Sequence, residues 1–424
     1  MTDTETTVDG GDMTIEEAGR VFVDSSAFTQ PARFHAAAAK LRAEDPVHWV
    51  ESPSVYPFYV VTRHADVLEV EHHHEVFLNE PRSVLGSKGA DDARVAMGGH
   101  LIKSLIAMDG EEHKAHRDVV RHWFRPGNLK RLQSGVDELS QSLIQKMVDA
   151  GGEIDFATEI AMEYPLRVIL SILGLPESDY PRMLQLTQEL FGAEDPEFKR
   201  DDDSLAGVMA TVAEFVAYFD DITAKRRANP TEDLASVIAH AEVDGKPIGH
   251  MEQLGLYIIT ATAGHDTTSA SIAGGMQVLI ENPDQLELLR QNPDLLRSAV
   301  EEIVRWTSPV KHFMRTANAD YQLGDTLIKE GQDVLLSYWS ANRDEAVFDD
   351  PLRFDVTRDP NNQVAFGFGV HFCLGVMLAK MELRSFFGAL IPRLNSVELA
   401  GDPELVRSLF VSGPKHLPIK YDLS

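Results

Sequence analysis

Two hydrophobic rhythms run along the chain. From Leu129 to Glu242 apolar residues recur every three to four positions, the spacing that gives a helix one apolar stripe. Breaks at Gly151-Gly152, Gly174-Leu175-Pro176 and Asn229-Pro230 divide this stretch into several packed helices. Gly245-Lys246-Pro247 then turns the chain into a longer periodic run, Met251 to Glu281, which as one helix rising about 1.5 Å per residue would span roughly 45 Å. Asn282-Pro283 and Asn292-Pro293 have the cap-then-proline form that starts a helix, and Leu374 to Phe387 is amphipathic again. The other rhythm is short and β-like. Val47 to Val50, Phe58 to Thr62 and Pro309 to Ala317 are rich in β-formers, and Gly331 closes a hairpin onto Leu335 to Tyr338. The pattern predicts a mainly α protein with small β-sheets. It shows no fixed-period repeat and no linker long enough to separate domains, so residues 21–424 are expected to form one unit after a disordered acidic segment, 1–20.

Composition narrows the partners. The 67 acidic residues against 39 basic ones give a formal net charge of −28, which argues against nucleic acid. No run reaches the roughly 18 apolar residues of a membrane span, and the first residues carry no apolar core, so a soluble cytoplasmic protein is expected.

The candidate chemistry lies in a few places. Cys373 is the single cysteine among 424 residues, so it makes no internal disulfide. Gly367 and Gly369 allow a close backbone approach before it, and the periodic stretch begins just after it. A sulfur at a helix N-terminus favours the thiolate, a nucleophile or metal ligand; the residues alone equally allow a buried structural cysteine. His72-His73-His74 point in different directions on a helix and cannot chelate one ion well. His113 and Arg117, four apart, leave one helix face together and could grip an anion, or form an exposed basic turn. In Ala261 to Ala270 a glycine and successive threonines weaken the long helix, and the Thr267 hydroxyl can reach back to the Ala263 carbonyl. That reads as a groove for a small molecule or as a kinked core helix. Glu302 and Arg305, three apart, form a commonplace ion pair. Ser83 to Gly99 is loop-like, suited to a lid.

Phe366, Gly369, His371, Cys373 and Gly375 stand at the spacing of the haem-ligand loop of the cytochromes P-450, which the chain therefore resembles from about Val47 to Ile419. Ala263-Gly264-x-Asp266-Thr267 resembles the oxygen-binding helix of that family. The resemblance implies the P-450 fold, with a long central helix and haem b held by Cys373 as iron ligand. Phe366, Gly367, His371 and Ala263 would lie against the haem, with His113, Arg117 and Arg315 on its propionates. It makes Asp266 and Thr267 the catalytic acid and alcohol that deliver protons to dioxygen, and gives His265 no role. Val310, Phe313, Met314, Phe410, Val411 and Ala263 would wall the substrate pocket, with Lys311 pointing away. Glu302, Arg305 and Arg353 would form a structural cluster.

The implied activity is that of a monomeric monooxygenase. It would use O2 and electrons from an iron–sulfur ferredoxin with its reductase to hydroxylate a compact apolar substrate, a terpenoid or an aromatic hydrocarbon. Ala261 to Ser269, Val304 to Ala317 and Leu336 to Phe348 resemble the branch that hydroxylates α-terpineol. A peroxygenase driven by H2O2 and a non-catalytic haem sensor are the rival readings. Lys114, Arg121, Arg125, Lys130, Lys380 and Arg384 form a basic island on the acidic chain, suited to an acidic ferredoxin.

Overall fold

A computed structural model describes residues 13–100, 102–201 and 204–423. Order begins earlier than expected. Thr14 and Glu17 form a reciprocal capping box that starts the helix Ile15–Arg20, and the helix buries Ala18 and Gly19. Gly19 lies so close to His48 that an added Cβ would meet the ring at 2.6 Å. The expectation of disorder is thus overturned for 13–20, while positions 1–12 lie outside the described residues.

Helices dominate, and the two longest are Pro126–Ala150 and Ser204–Ala228, each of 25 residues. The periodic run expected as one long helix is two: His250–Ala263 and Asp266–Glu281. Between them Gly264 keeps near-helical angles, but His265 departs to φ −96°, ψ −68°. A Cβ at Gly264 would meet Ile169 at 2.5 Å, so only glycine lets the neighbouring helix Glu163–Leu173 come this close. Facing the break is a single turn of π-helix, Ala157–Ala161.

The described residues form five sheets, three of them two-stranded. In the five-stranded one the order is Val47–Val50, Phe58–Val61, Asp333–Ser337, His312–Ala317, Phe77–Leu78. Its second and third strands run parallel, and the rest are antiparallel. A three-stranded sheet sets Pro418–Leu423 between Leu394–Leu399 and Glu153–Asp155. No helix among the described residues is long and apolar enough to cross a membrane.

Glu302 and Arg305 are fully buried, paired at 2.7 and 2.8 Å. Arg305 also donates to the carbonyls of Asn342, Pro351 and Arg353, which satisfies its remaining fork. The third guanidinium of the cluster is a correction to the sequence reading. Arg353 is exposed and offers only its carbonyl, whereas Arg358 reaches Glu302 at 3.2 Å. The irregular backbone after Pro351 turns the one side chain out and the other in.

Candidate active site

The broken helix and the cysteine loop face each other across a cavity. Ala263, Gly264 and Thr267 form one wall, and Phe366, Cys373 and Leu378 the opposite one. The loop is shaped by its glycines. Gly367 and Gly369 sit at φ +68° and +67°, and a Cβ on Gly369 would strike the Glu71 carbonyl at 2.8 Å. The Cys373 N–H closes the loop onto the Phe366 carbonyl at 2.9 Å.

Helix Val376–Leu390 starts three residues after the sulfur, so Gly375 and Val376 point their N–H groups at it. These donors and Arg117 favour the thiolate, but burial is the larger effect and pushes the thiol up. Cys373 is half-buried and lines the cavity, and coordination to a metal ion would remove its proton.

Cationic and imidazole side chains gather on one flank. His113, 4 % exposed, has an unpartnered Nε2 and stacks against His371 with ring centres 4.0 Å apart. Burial, followed by His371 and Arg117, pushes His113 down to about 3, so it is neutral. Arg117 donates to the Phe372 carbonyl, and burial holds it below its usual value. Arg315 is buried on the strand His312–Ala317 and pairs with Glu71 at 3.3 Å.

On the strand His312–Ala317, parity separates Phe313 and Arg315 from Met314. Val310, Phe313 and Arg315 line the cavity. Met314, between the last two, points to the other face and packs in a core with Phe58 and Trp339, a correction to its expected place. Phe410 is one layer back, its ring 5.4 Å from that of Phe313. Val411 lines a separate, smaller cavity. Lys311 does point away, its Nζ 3.0 Å from the Thr307 carbonyl and 3.8 Å above the Trp339 ring.

Of the acid–alcohol pair, only Thr267 faces the main cavity, its hydroxyl donating to the Ala263 carbonyl at 2.8 Å. Asp266 turns to the smaller cavity, with Oδ1 3.3 Å from His265 Nδ1 and Oδ2 unpartnered. Sequence reasoning missed Glu71, Tyr338 and Glu382 on the main cavity wall. Glu71 accepts from the Tyr338 hydroxyl at 2.5 Å, a contact between distant segments that no local pattern announces. Glu382 lies nine residues after Cys373 on the amphipathic helix; both its oxygens are unpartnered and burial pushes it well up, so it is a neutral acid. A charge on the apolar face of that helix was its one signal in the sequence.

The family model for cytochrome P450 matches residues 51–419. The chain belongs to the cytochrome P450 family. It is 41 % identical to "Cytochrome P450-terp" of a Pseudomonas species over 90 % of this chain and 92 % of that one. Identity is 34 % to a steroid C26-monooxygenase of Mycolicibacterium smegmatis (90 % and 89 % covered) and 34 % to linalool 8-monooxygenase of Pseudomonas putida (91 % and 95 %). The crystal structure of CYP108D1 from Novosphingobium aromaticivorans superposes with a TM-score of 0.89 at 41 % identity, over 96 % of this chain and 99 % of that one.

This P450 is a monooxygenase whose cofactor is haem b, and its cavity fits that group. A lone sulfur with two N–H groups aimed at it stands on one wall. The orphaned His113 Nε2 and the desolvated Arg117 lie on the flank where the carboxylates of such a ring need partners.

Proposed function

We propose that this P450 hydroxylates a compact, apolar terpenoid with electrons from an iron–sulfur ferredoxin. The observation that carries the substrate class is the state of the hydroxyls on the cavity wall. Thr260, Thr267 and Ser271 each donate to a carbonyl one turn back, at 2.7, 2.8 and 2.9 Å, so three of the four hydroxyls that this broken helix brings to the cavity have their protons already engaged. Val310, Phe313, Leu105 and Ile259 add apolar surface. A ligand there is held by shape and by exclusion of water rather than by polar contacts. Two relatives whose names point to terpenoids, Cytochrome P450-terp and linalool 8-monooxygenase, support the same class.

Haem, ligated by Cys373, supplies the oxygen-activating chemistry. The chain contributes position and protons. Val310 and Phe313 orient the substrate, while His113, Arg117 and Arg315 anchor the cofactor's charged edge. Thr267 holds its hydroxyl at the cavity surface, where Oγ can take a hydrogen bond and pass a proton on. Asp266, one residue earlier, holds the next proton behind it.

The face around Cys373 supports an electron-transfer partner. Phe368, Val370, Phe372 and Met377 are exposed there, a patch of large apolar side chains on a strongly acidic protein. Arg125 and Lys130 are exposed. Lys114, Arg121 and Lys380 each pair with a neighbouring acid, Glu111, Asp118 and Glu301. An apolar centre with a partly neutralised basic rim suits a small acidic ferredoxin.

A titration of the haem Soret band tests the substrate class. A monoterpene alcohol should shift it at a concentration well below that needed for a polycyclic aromatic, a steroid or a fatty acid. Tighter binding by any of those three would remove the terpenoid reading.

A further inference from the structure

His265 stands at the break of the central helix, fully buried, and the acid–alcohol pair gives it no task. Its hydrogen bonds define its protonation. Nε2 is 3.0 Å from the carbonyl oxygen of Met162, which can only accept, so Nε2 carries a hydrogen. Nδ1 lies 3.3 Å from Asp266 Oδ1 and 3.3 Å from Thr187 Oγ1. The Thr187 hydroxyl has a nearer acceptor in the Leu184 carbonyl, at 3.0 Å. A neutral ring protonated on Nε2 has a bare lone pair on Nδ1, and a carboxylate oxygen facing that lone pair is repelled. The contact is attractive only with a proton between the two atoms, carried by Nδ1 or by Oδ1.

We propose that His265 and Asp266 share one transferable proton and that His265 is the positioning residue that keeps Asp266 loaded for Thr267. The proposal rests on the reading of Asp266 and Thr267 as the proton-delivery pair. Three elements meet at the site: the π-turn ending at Met162, the helix Tyr180–Phe191 that carries Thr187, and the start of Asp266–Glu281. Together they fix the ring so that Nδ1 can address only Asp266 and Thr187. The Asp266 carboxyl then stands between this store and one outlet, Thr267, next in sequence and open to the haem cavity, while its unpartnered Oδ2, on a residue that lines the smaller cavity, is the inlet. The balance is simple. One proton leaves the pair by way of Asp266 toward Thr267 Oγ, and one solvent proton arriving at Asp266 Oδ2 restores it. Without His265, Asp266 would have no local store and would draw every proton directly from solvent.

His265→Gln separates this role from a purely structural one. The glutamine amide places an N–H where Nε2 was, so the tie to the Met162 carbonyl is kept, while nothing replaces Nδ1. In the haem-loaded protein this variant should show an unchanged substrate-induced Soret shift. Turnover should fall by roughly tenfold, below the 10²-fold a positioned acid–base group typically contributes, because Asp266 remains. The solvent deuterium isotope effect should rise and more of the reducing equivalents should appear as peroxide. Asp266→Asn is the control for the underlying reading: if its coupling matches wild type, that reading fails. If Asp266→Asn uncouples the enzyme while His265→Gln retains wild-type turnover and isotope effect, only the proposal for His265 fails. A second readout needs no turnover. In 15N-histidine-labelled protein in the diamagnetic ferrous carbonmonoxy form, His265 Nδ1 should resonate away from the bare-nitrogen position and return to it in Asp266→Ala. A bare Nδ1 in the wild type, unmoved by that substitution, overturns the shared proton.

Discussion

Arg358, not Arg353, is the residue on which the buried cluster leans, and single substitutions should separate them. Glu302→Ala strands the fully buried guanidinium of Arg305 and should cost about 3–5 kcal/mol. Arg358→Ala removes one charge-assisted contact and should cost about 1–3 kcal/mol, whereas exposed Arg353→Ala should stay within about 0.5 kcal/mol. Denaturant unfolding of the haem-loaded protein measures all three, and an Arg353 effect equal to that of Arg358 would contradict the arrangement seen. The Glu302–Arg305 pair was legible because three residues on a helix bring two side chains together. Arg358 was not, because an irregular loop has no period from which to read a direction. Met314 is the opposite case. Once Arg315 is taken to face the haem, strand alternation already turns Met314 away and leaves Phe313 in the cavity. Parity along the strand held the answer that resemblance obscured.

Among the elements, the central helix announced its weak point through Gly264 and the back-bonding Thr267, yet not that it would part into two helices. That depends on His265 being pulled to Met162, which belongs to another part of the chain. Long-range ties of this kind also hold the segment between the helices Tyr180–Phe191 and Ser204–Ala228. Lys415 pairs with Asp195 at 2.9 Å, and His416 joins Asp155 at 2.6 Å to Glu197 at 3.1 Å. The hydrogen bond to Asp155, then Glu197, raises His416 in spite of burial. Its contribution to stability is therefore full below the ordinary imidazole value and lost as pH rises through the raised one. Burial works against the Asp155 carboxylate, but Leu417 N–H and His416 hold it below its ordinary value, so its share is lost as pH falls through the lowered one. The destabilisation caused by His416→Ala should be greatest near pH 5–6, between the ordinary values of about 4 and 6.5, and shrink on either side. Melting temperatures of both proteins across pH check this, and a difference that does not vary with pH would mean that the histidine acts by packing alone.

For the whole molecule, a net charge of −28 sets the long-range field that any acidic electron donor must cross. Arg125 is exposed and forms no ion pair described above, whereas Arg121 is tied to Asp118, so Arg125→Glu should slow ferredoxin-dependent reduction more than Arg121→Glu does. Substrate affinity should be unchanged in both, and the wild-type rate should fall as salt screens the approach over a Debye length of about 10 Å at 0.1 M. Stopped-flow reduction at several ionic strengths tests this; a rate indifferent to salt and to both reversals would leave the exposed phenylalanines as the sole basis of docking. The family's fold was readable from motifs placed in order along the chain, because each motif is local. The five-stranded sheet was readable only as hairpins, because its central parallel pair joins Tyr59 to Val334. That pair has a consequence for how the protein is made. At about 5–20 residues per second, a ribosome needs tens of seconds to deliver the partner of a strand already outside the exit tunnel. Until then Phe58–Val61 presents an open apolar edge to the crowded cell, and a nascent chain stalled before Ser337 should be a preferred client of chaperones that bind exposed strands.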